Sequence, residues 1–405
     1  MNTFTPQDIH VIINEMADYM FGKNATTNVI DTSTMVSVGE KMLRTGVTNT
    51  LDALGVVLGR RTYVTRRYDG AYQIYFDKSS EPYGGIEEKI SFYAKKLVPT
   101  TSFNTNLAPT QLRDGQSIDP YVINKKYPLQ INFIGLKTEQ YDDTTYIVQL
   151  RQAMRNEADM GRFIAAKLID IQNDLATKTE AENQLLTLNA VAATYNVGNA
   201  NQKVNLTAEF NAENGTTYTT AQLKTTYLKE FSAFMVAKIK GDMAMMGRRN
   251  ELFHIYPARN DDSGNALVLP RHTPPADRRL FLYMPLIRKV ETSVFPSLFS
   301  TSTVRLENYE GIEFWQNPNE PMKVNIIPNQ LNVVSGESEN GTAVELDNVV
   351  GLLFDREAIR VSVKLEEVAT TPVNARGLYY NTCYHWAYKF KFDQTENMIL
   401  YYMAD

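Results

Sequence analysis

Between Leu378 and Phe392 the chain reads LYYNTCYHWAYKFKF. Even positions carry Leu378, Tyr380, Thr382, Tyr384, Trp386, Tyr388, Phe390 and Phe392. Odd positions carry Tyr379, Asn381, Cys383, His385, Ala387, Lys389 and Lys391. One side is almost wholly aromatic and the other largely polar, the period-two pattern of a half-buried β-strand. At about 3.3 Å per residue these fifteen residues reach roughly 50 Å, where five or six residues are usual. A strand of that length spans a whole domain and needs an equally long partner to cover it.

The residues before it extend the β pattern. Val349–Phe354 is a short apolar run, and Asp355 is placed to cap one helical turn through Arg356, Glu357 and Ala358. Ile359, Val361, Val363 and Leu365 then alternate with Arg360, Ser362, Lys364 and Glu366 as a second strand. Glu366 to Arg376, with Pro372, reads as a polar turn, and Gly377 opens the long strand.

The run DNVVGLLFDREAIRVSV, followed by NARGLYYNTCYHWAYKF, resembles the closing portion of tailed-bacteriophage major capsid proteins of the Hong Kong 97 fold. It is most similar to those of small short-tailed phages with protein-primed genomes, in which an Asn-x-Arg-Gly-Leu-Tyr segment leads into an aromatic Tyr-x-His strand. Here those residues are Asn374, Arg376, Gly377, Leu378, Tyr379, Tyr384 and His385. The likeness covers about the last 120 residues and is architectural elsewhere. It implies an α+β, Hong Kong 97-like capsid fold. The expected parts are an N-terminal arm (1–55), an extended β-hairpin loop (56–130), a peripheral domain with a spine helix (131–205), an axial α/β domain (206–348) and peripheral strands with the C-terminus (349–405).

The function so implied is a structural one. Many copies would self-assemble through pentamers and hexamers into an icosahedral head around the phage double-stranded DNA. Scaffolding protein and portal protein would be partners, the host cytoplasm the place of assembly and the virion the destination. No cofactor, metal or membrane is expected. Some relatives carry an immunoglobulin-like domain after the long strand; with Asp405 thirteen residues past Phe392, none is expected here.

Composition agrees with such a role. A chain of 405 residues exceeds what one hydrophobic core supports, so at least two subdomains are expected. A net charge of -5 argues against a protein whose main task is gripping phosphates. The single cysteine, Cys383, excludes an intramolecular disulfide and a CxxC metal site. No apolar stretch approaches the length of a membrane span, and Met1 to Met20 lacks the pattern of a signal peptide.

From the N-terminus, the spacing of Ile9, Ile12, Ile13, Met16 and Met20 predicts a helix from Pro6 to Phe21. Two readings stay open for that stripe: a helix docked on its own core, or an arm docked on a neighbour, since Asn24 to Ser37 offers little core. Next, Thr62–Thr65 and Tyr72–Phe76 flank Asp69-Gly70 as a hairpin, and Lys89 to Val98 reads as a further strand. Residues 55 to 126 hold 11 Lys+Arg and 7 Asp+Glu, a net +4. A basic aromatic hairpin with little core of its own needs another surface to lie on. In the family this position is the extended loop over an adjacent subunit.

Ile147, Leu150, Met154, Ala158, Gly161, Leu168, Ile171 and Leu175 then define a long helix inside Tyr146 to Asn189. Its length matches that of the C-terminal strand, which pairs the two as spine and ribbon. Residues 139 to 182 hold 9 Asp+Glu and 5 Lys+Arg, a net -4. The hairpin of one subunit is therefore expected to cross the helix of the next. The candidate contacts are Arg60, Arg61, Arg66, Arg67, Tyr68 and Tyr72 against Glu157 and Asp159. Merely solvated faces are the bland alternative, because exposed ion pairs are individually weak.

Residues 195 to 220 read as a polar linker, and Ala221 to Met246 as an amphipathic helix stopped by Gly247. Short strands follow at Leu252–Tyr256, Leu280–Met284, Gly311–Trp315 and Val324–Ile327, with helix from Leu286 to about Phe299. Asn329 to Leu346 reads as an exposed loop.

Chemistry-bearing motifs are few. Gly55-x-x-x-Gly59 lacks the Lys-Ser/Thr of a phosphate loop, and His10, His254, His272 and His385 do not have the spacing of a metal cluster. Cys383 and His385, two apart on one strand face, are the only pair fit to test as nucleophile and base. Two rivals to the shell reading remain. One is a DNA-binding virion or replication protein that uses the Arg/Tyr hairpin; the other is a thiol hydrolase.

Overall fold

A computed structural model describes residues 6–23, 28–46, 49–50, 53, 57, 76–77, 86–95, 125–155, 157–262, 264–289 and 309–405. Helix and sheet are mixed throughout. The chain divides into two compact units, one of Met1–Gly85, Gly135–Asn183 and Val361–Phe390, the other of Ile86–Ile134, Gln184–Arg360 and Lys391–Asp405.

In the first unit the aromatic stretch is a strand, Tyr379–Phe392. Tyr380, Thr382, Tyr384, Trp386 and Tyr388 are buried, while Tyr379, Asn381, Cys383 and His385 are half-exposed. The aromatic side thus faces inward from Tyr380 to Tyr388; beyond it the order reverses, with Lys389 and Lys391 buried and Phe390 and Phe392 half-exposed. Its partner is a strand absent from the sequence reading, Leu136–Tyr146, antiparallel over an unbroken register from Tyr379↔Tyr146 to Lys389↔Leu136. Gly135 prolongs the ladder by accepting from the Phe390 amide at 3.1 Å. A Cβ on Gly135 would sit 2.9 Å from the Phe390 carbonyl oxygen, so only glycine lets the backbones come this close. Ile359–Thr370 flanks the long strand on its other side and runs four residues beyond the expected turn at Glu366.

The Asn-x-Arg-Gly-Leu-Tyr segment is a self-closed turn. The Asn374 side-chain oxygen accepts from the Arg376 and Gly377 amides at 3.0 and 3.2 Å. The Leu378 amide donates to the Asn374 carbonyl at 2.8 Å, with Leu378 at φ +49°. A Cβ on Gly377 would strike the Tyr379 ring at 2.5 Å, which explains the glycine. Leu378 in turn accepts from the Ile147 amide at 2.9 Å and so satisfies a free donor at a helix start.

That helix is the short Ile147–Ala153; after a turn, Glu157–Val197 follows as a helix about 60 Å long. The single helix expected from Tyr146 is therefore two. Within this unit Lys137 pairs with Glu182, and Lys178 lies 3.8 Å from Glu139, so the helix and the strand Leu136–Tyr146 are tied by charge. Pro6–Phe21 is helical as expected. Ile9, Ile12, Ile13 and Met16 are buried with Val29, Met35, Val38, Met42, Leu150, Met154 and Tyr380. The stripe packs into its own chain, which decides between the two readings left open. The described part of that segment, 28–37, is richer than expected: Val29 and Met35 join the core, and the helix Thr32–Thr45, capped by Asp31, goes on to add Val38 and Met42. The capping residue and the three-to-four spacing of those side chains were the overlooked signals.

In the second unit a five-stranded sheet runs in the order Lys203–Asn205, Met398–Tyr402, Val349–Asp355, Arg278–Tyr283, Tyr309–Ile312. Its central strand, Val349–Asp355, is buried at every position, which is why it reads as a continuous apolar run. Phe231, Met235, Ile239 and Met246 of the helix Leu228–Met246 pack against Val350, Leu353, Leu280, Leu282, Ile399 and Tyr401. Residues 195 to 220 are no linker: they end the long helix, form the strand Lys203–Asn205 and continue as the helix Leu206–Asn214. Leu252–Tyr256 is irregular, and His254 within it is buried, bonded to Asn397 (3.2 Å) and the Leu269 carbonyl (2.5 Å). The expected exposed loop holds a small hairpin, Asn329–Leu331 with Ser338–Asn340, and a strand, Val344–Leu346, paired with Val324–Ile326.

Candidate inter-subunit surfaces

The charge-based surface read from the sequence falls largely outside the described residues: Arg60, Arg61, Arg66, Arg67, Tyr68 and Tyr72 all do. Glu157 opens the long helix; its side chain is likewise not described. Asp159 is half-buried, with the Arg162 guanidinium one turn on at 3.9 Å. Part of the acidity counted on 139–182 is also matched locally, since Glu139 lies 3.3 Å from Lys137, and Lys137 also holds Glu182. Glu139, Asp159 and Glu182 are therefore less available to a neighbour than the count implied.

Cys383 and His385 do not form a nucleophile and base. In the strand register Cys383 faces Asp142, and His385 faces Gln140. Burial and the Asp142 carboxylate, which accepts from the thiol, raise the Cys383 pKa above its ordinary value. The thiolate that chemistry would need is disfavoured. Among the described residues no cluster of three or more His, Cys, Asp or Glu is placed to hold a metal ion, and no helix is long and apolar enough to cross a membrane.

A different surface emerges in the second unit, on the strand Glu87–Lys95, paired antiparallel with Tyr127–Phe133. Glu87, Lys89 and Ser91 face the body of the unit and are polar, while Tyr93 on the same side joins an apolar cluster with Tyr127, Leu267 and Leu269. Lys89 reaches Asp393 and Glu396, and the Thr395 hydroxyl at 3.2 Å. Arg271 bonds Ser91 Oγ at 2.8 Å and the Thr395 carbonyl at 3.0 Å, with Glu396 at 3.6 Å. Glu87 meets Lys391 at 3.1 Å and Arg360 at 4.0 Å, and both also reach Glu357. Two cations thus balance two anions in each of two adjoining clusters. Burial alone pushes the Asp393 carboxyl up, but the Lys89 ammonium and the Thr395 bonds outweigh it and hold its pKa below the ordinary 3.8.

Glu88, Ile90 and Phe92 of the same strand face away from the body, and two of these three, like Ile86 just before the strand, are large and apolar. Ile86, Ile90 and Phe92 are 57%, 59% and 56% exposed, and Ile134, just past the end of the partner strand, is 68% exposed. Glu88 lies among them, and the Lys126 ammonium stands 6.0 Å from the centre of the Phe92 ring. From Ile86 to Phe92 the segment is amphipathic the wrong way round, polar side in, clasped to the body by these ion pairs, and apolar side out. Sequence reasoning missed this because period two separates two faces without saying which one points inward.

The sequence profile of the Phi29-like phage major capsid protein family matches residues 13–402, nearly the whole chain. The chain belongs to that family. It is a phage major capsid protein, a structural and non-enzymatic subunit of the head, and repeated copies of it build the shell found in the virion. Comparison with curated protein sequences gave no match. Among solved structures this capsid protein is similar to the capsid of Staphylococcus phage Andhra, with 9% identity over 81% of this chain and 83% of that one, at a TM-score of 0.46. The capsid of cyanophage P-SCSP1u gives 12% identity over 84% and 89%, at 0.42.

One further group in the capsid protein is exceptional. Glu310, on the outermost strand Tyr309–Ile312 of the five-stranded sheet, has a buried Oε2 without a hydrogen-bond partner. Burial pushes its pKa up to about 7, with Arg279 pulling the other way. A raised carboxyl costs stability as pH climbs from its ordinary 4.5, and the full cost is present above about 7. Glu310→Gln is therefore expected to stabilise the protein more at pH 8 than at pH 5, read as urea midpoints. Equal midpoint gaps at the two pH values would mean that the carboxyl is solvated.

Proposed function

We propose that this capsid protein has the Hong Kong 97 fold, with the closest ties to short-tailed phages with protein-primed genomes. Its parts are an N-terminal arm (1–55), an extended loop (56–130), a spine-helix domain (131–205), an axial domain (206–348) and closing peripheral strands (349–405). The axial regions form pentamers and hexamers, and the extended loop of one subunit lies on the next. Scaffolding protein guides closure in the host cytoplasm, a portal occupies one vertex, and double-stranded DNA fills the head. What supports this reading most is the family match over residues 13–402, joined to a buried aromatic strand with a partner of its own length. Many weak contacts repeated over a closed lattice suffice for a stable shell.

Electron microscopy of the purified particle tests the architecture through its capsomers and symmetry. For the loop, reversing Arg66 and Arg67 to Glu is expected to weaken assembly, and more so at low salt, where screening is least. Unchanged particle yield at low ionic strength would remove those arginines from the interface.

A further inference from the structure

We propose that Arg248, Arg249 and Arg278 form a phosphate-binding corner on the second unit, where the helix Leu228–Met246 ends beside the start of the strand Arg278–Tyr283, and that its occupant is the backbone of the DNA inside the head. The inference rests on the reading that double-stranded DNA fills the head, and names the part of the subunit that touches it. The net charge of -5 on the whole chain hides this corner.

Three observations carry it. First, positive charge is concentrated here. Residues 245–250 and 271–280, joined by the Asn250↔Arg271 bridge, hold five arginines and one aspartate, a net +4. Arg271 is turned inward to Ser91 and Glu396, and Arg279 donates to the Ala276 and Arg278 carbonyls at 2.7 and 2.9 Å. Arg248 and Arg249 are exposed, and among the described residues no carboxylate pairs with either of them or with Arg278. Second, Arg278 is half-buried without a counter-ion. Its guanidinium lies against Gly247, where a Cβ would come within 2.5 Å of Nη2, and its Nε donates to the Thr273 carbonyl at 3.3 Å. Burial holds its pKa below the ordinary arginine value, and no carboxylate acts against that shift. Buried charges are ordinarily paired, and a guanidinium fork suits the oxygens of a phosphate. Third, the arginine side chains are not engaged as helix caps. Cations past a helix C-terminus can satisfy its last carbonyls. Here the Met245 carbonyl accepts from the Arg248 amide at 3.0 Å and Asn250 Nδ2 at 2.8 Å, and the Met246 carbonyl accepts from the Thr273 amide at 2.8 Å. The approach is open as well. Ala237, Gly241 and Ala244 of the helix are exposed and uncharged, and the acid in that half of it, Asp242, is buried against Tyr401. An open, unpaired cluster of arginines meets a polyanion, and the polyanion that a phage head encloses is DNA.

Arginine modification by phenylglyoxal, read residue by residue by mass spectrometry, tests this on intact heads. Modification of Arg248 and Arg249 is expected to be about fivefold slower in DNA-filled heads than in heads emptied of DNA, because a phosphate contact occupies the guanidinium. Equal rates overturn the proposal, whether both are fast, which leaves the corner bare, or both slow, which means that protein covers it. Free subunits supply the second arm. Arg248→Gln/Arg249→Gln is expected to keep the wild-type circular dichroism and to bind a short DNA duplex about tenfold more weakly. The slope of log affinity against log salt should become shallower by about two. Arg151→Gln/Arg155→Gln, the same charge change at exposed positions of the first unit, should bind as wild type does. Unchanged duplex binding by the first variant overturns the proposal, and so does an equal loss in the second. Protection of Arg248 and Arg249 in free subunits by inorganic phosphate, at concentrations where the duplex gives none, identifies a free-phosphate site and overturns the DNA assignment. Heads that yield no double-stranded DNA on extraction defeat the wider reading instead, and duplex binding by free subunits still reports on the arginines.

Discussion

Truncation of Trp386 to alanine is expected to destabilise the first unit by about 3–5 kcal/mol. The indole is buried, lies near-parallel to Tyr384 with ring centroids 6.0 Å apart, and occupies the middle of the inward row from Tyr380 to Tyr388. Removing it opens a large cavity that flanking aromatic rings, fixed to a straight strand, cannot collapse to fill. His385→Ala, one residue away on the half-exposed side, should cost less than about 1 kcal/mol. The contrast between neighbours matters more than either value, because only a strand seated on one face separates them so widely. With two units in the chain, unfolding need not be two-state. Amide exchange across Tyr379–Phe392 and Leu136–Tyr146 is therefore the appropriate readout, with Trp315 of the other unit left as an internal fluorescence control. Similar losses at 385 and 386 would refute the one-sided seating.

Why the aromatic strand was legible, and the clasped ribbon was not, comes down to what alternation encodes. From Tyr379 to Tyr388 the two faces differ so strongly in apolar area that one orientation wins, whereas Lys389 and Lys391 beyond it are buried against the pattern. Along Ile86 to Phe92 the pattern is equally regular, yet the orientation is set by Asp393, Glu396, Lys391, Arg360 and Glu357, roughly 270 to 310 residues away in the sequence. No local window contains them. The same limit explains the strand Leu136–Tyr146. Its sequence, LKTEQYDDTTY, has little apolar character on either side, and it becomes a strand because the long aromatic strand needs hydrogen-bond partners over its whole length. The Pro6–Phe21 stripe, by contrast, named its own core residues correctly, since a helix face is a local property. What it could not name was the second helix against which it packs.

Replacing Lys89 with methionine is the change expected to cost most in the second unit, about 3–5 kcal/mol, because it strips a buried carboxylate of its counter-ion while keeping the side-chain volume. Asp393 is nearly fully buried, and Thr395 alone remains as its hydrogen-bond partner once the ammonium is gone. Lys89→Arg should lose much less. The pH dependence makes the test specific. In the wild type the Asp393 carboxyl sits below its ordinary 3.8, so its stabilising contribution is complete above that pH and disappears as pH falls further. In Lys89→Met the burial that raises this carboxyl is no longer outweighed, so the folded state favours the protonated acid, and acidification from pH 6 to pH 4 should help the variant. The stability gap between wild type and variant is thus expected to narrow steadily toward low pH, measured by denaturant titration at several pH values. The same variant should lose protection from amide exchange first along Glu87–Lys95, because that strand is the element the clasp holds. A gap independent of pH would show that the ammonium does not hold Asp393 in its ionised form and that the charge clasp has no part in the loss.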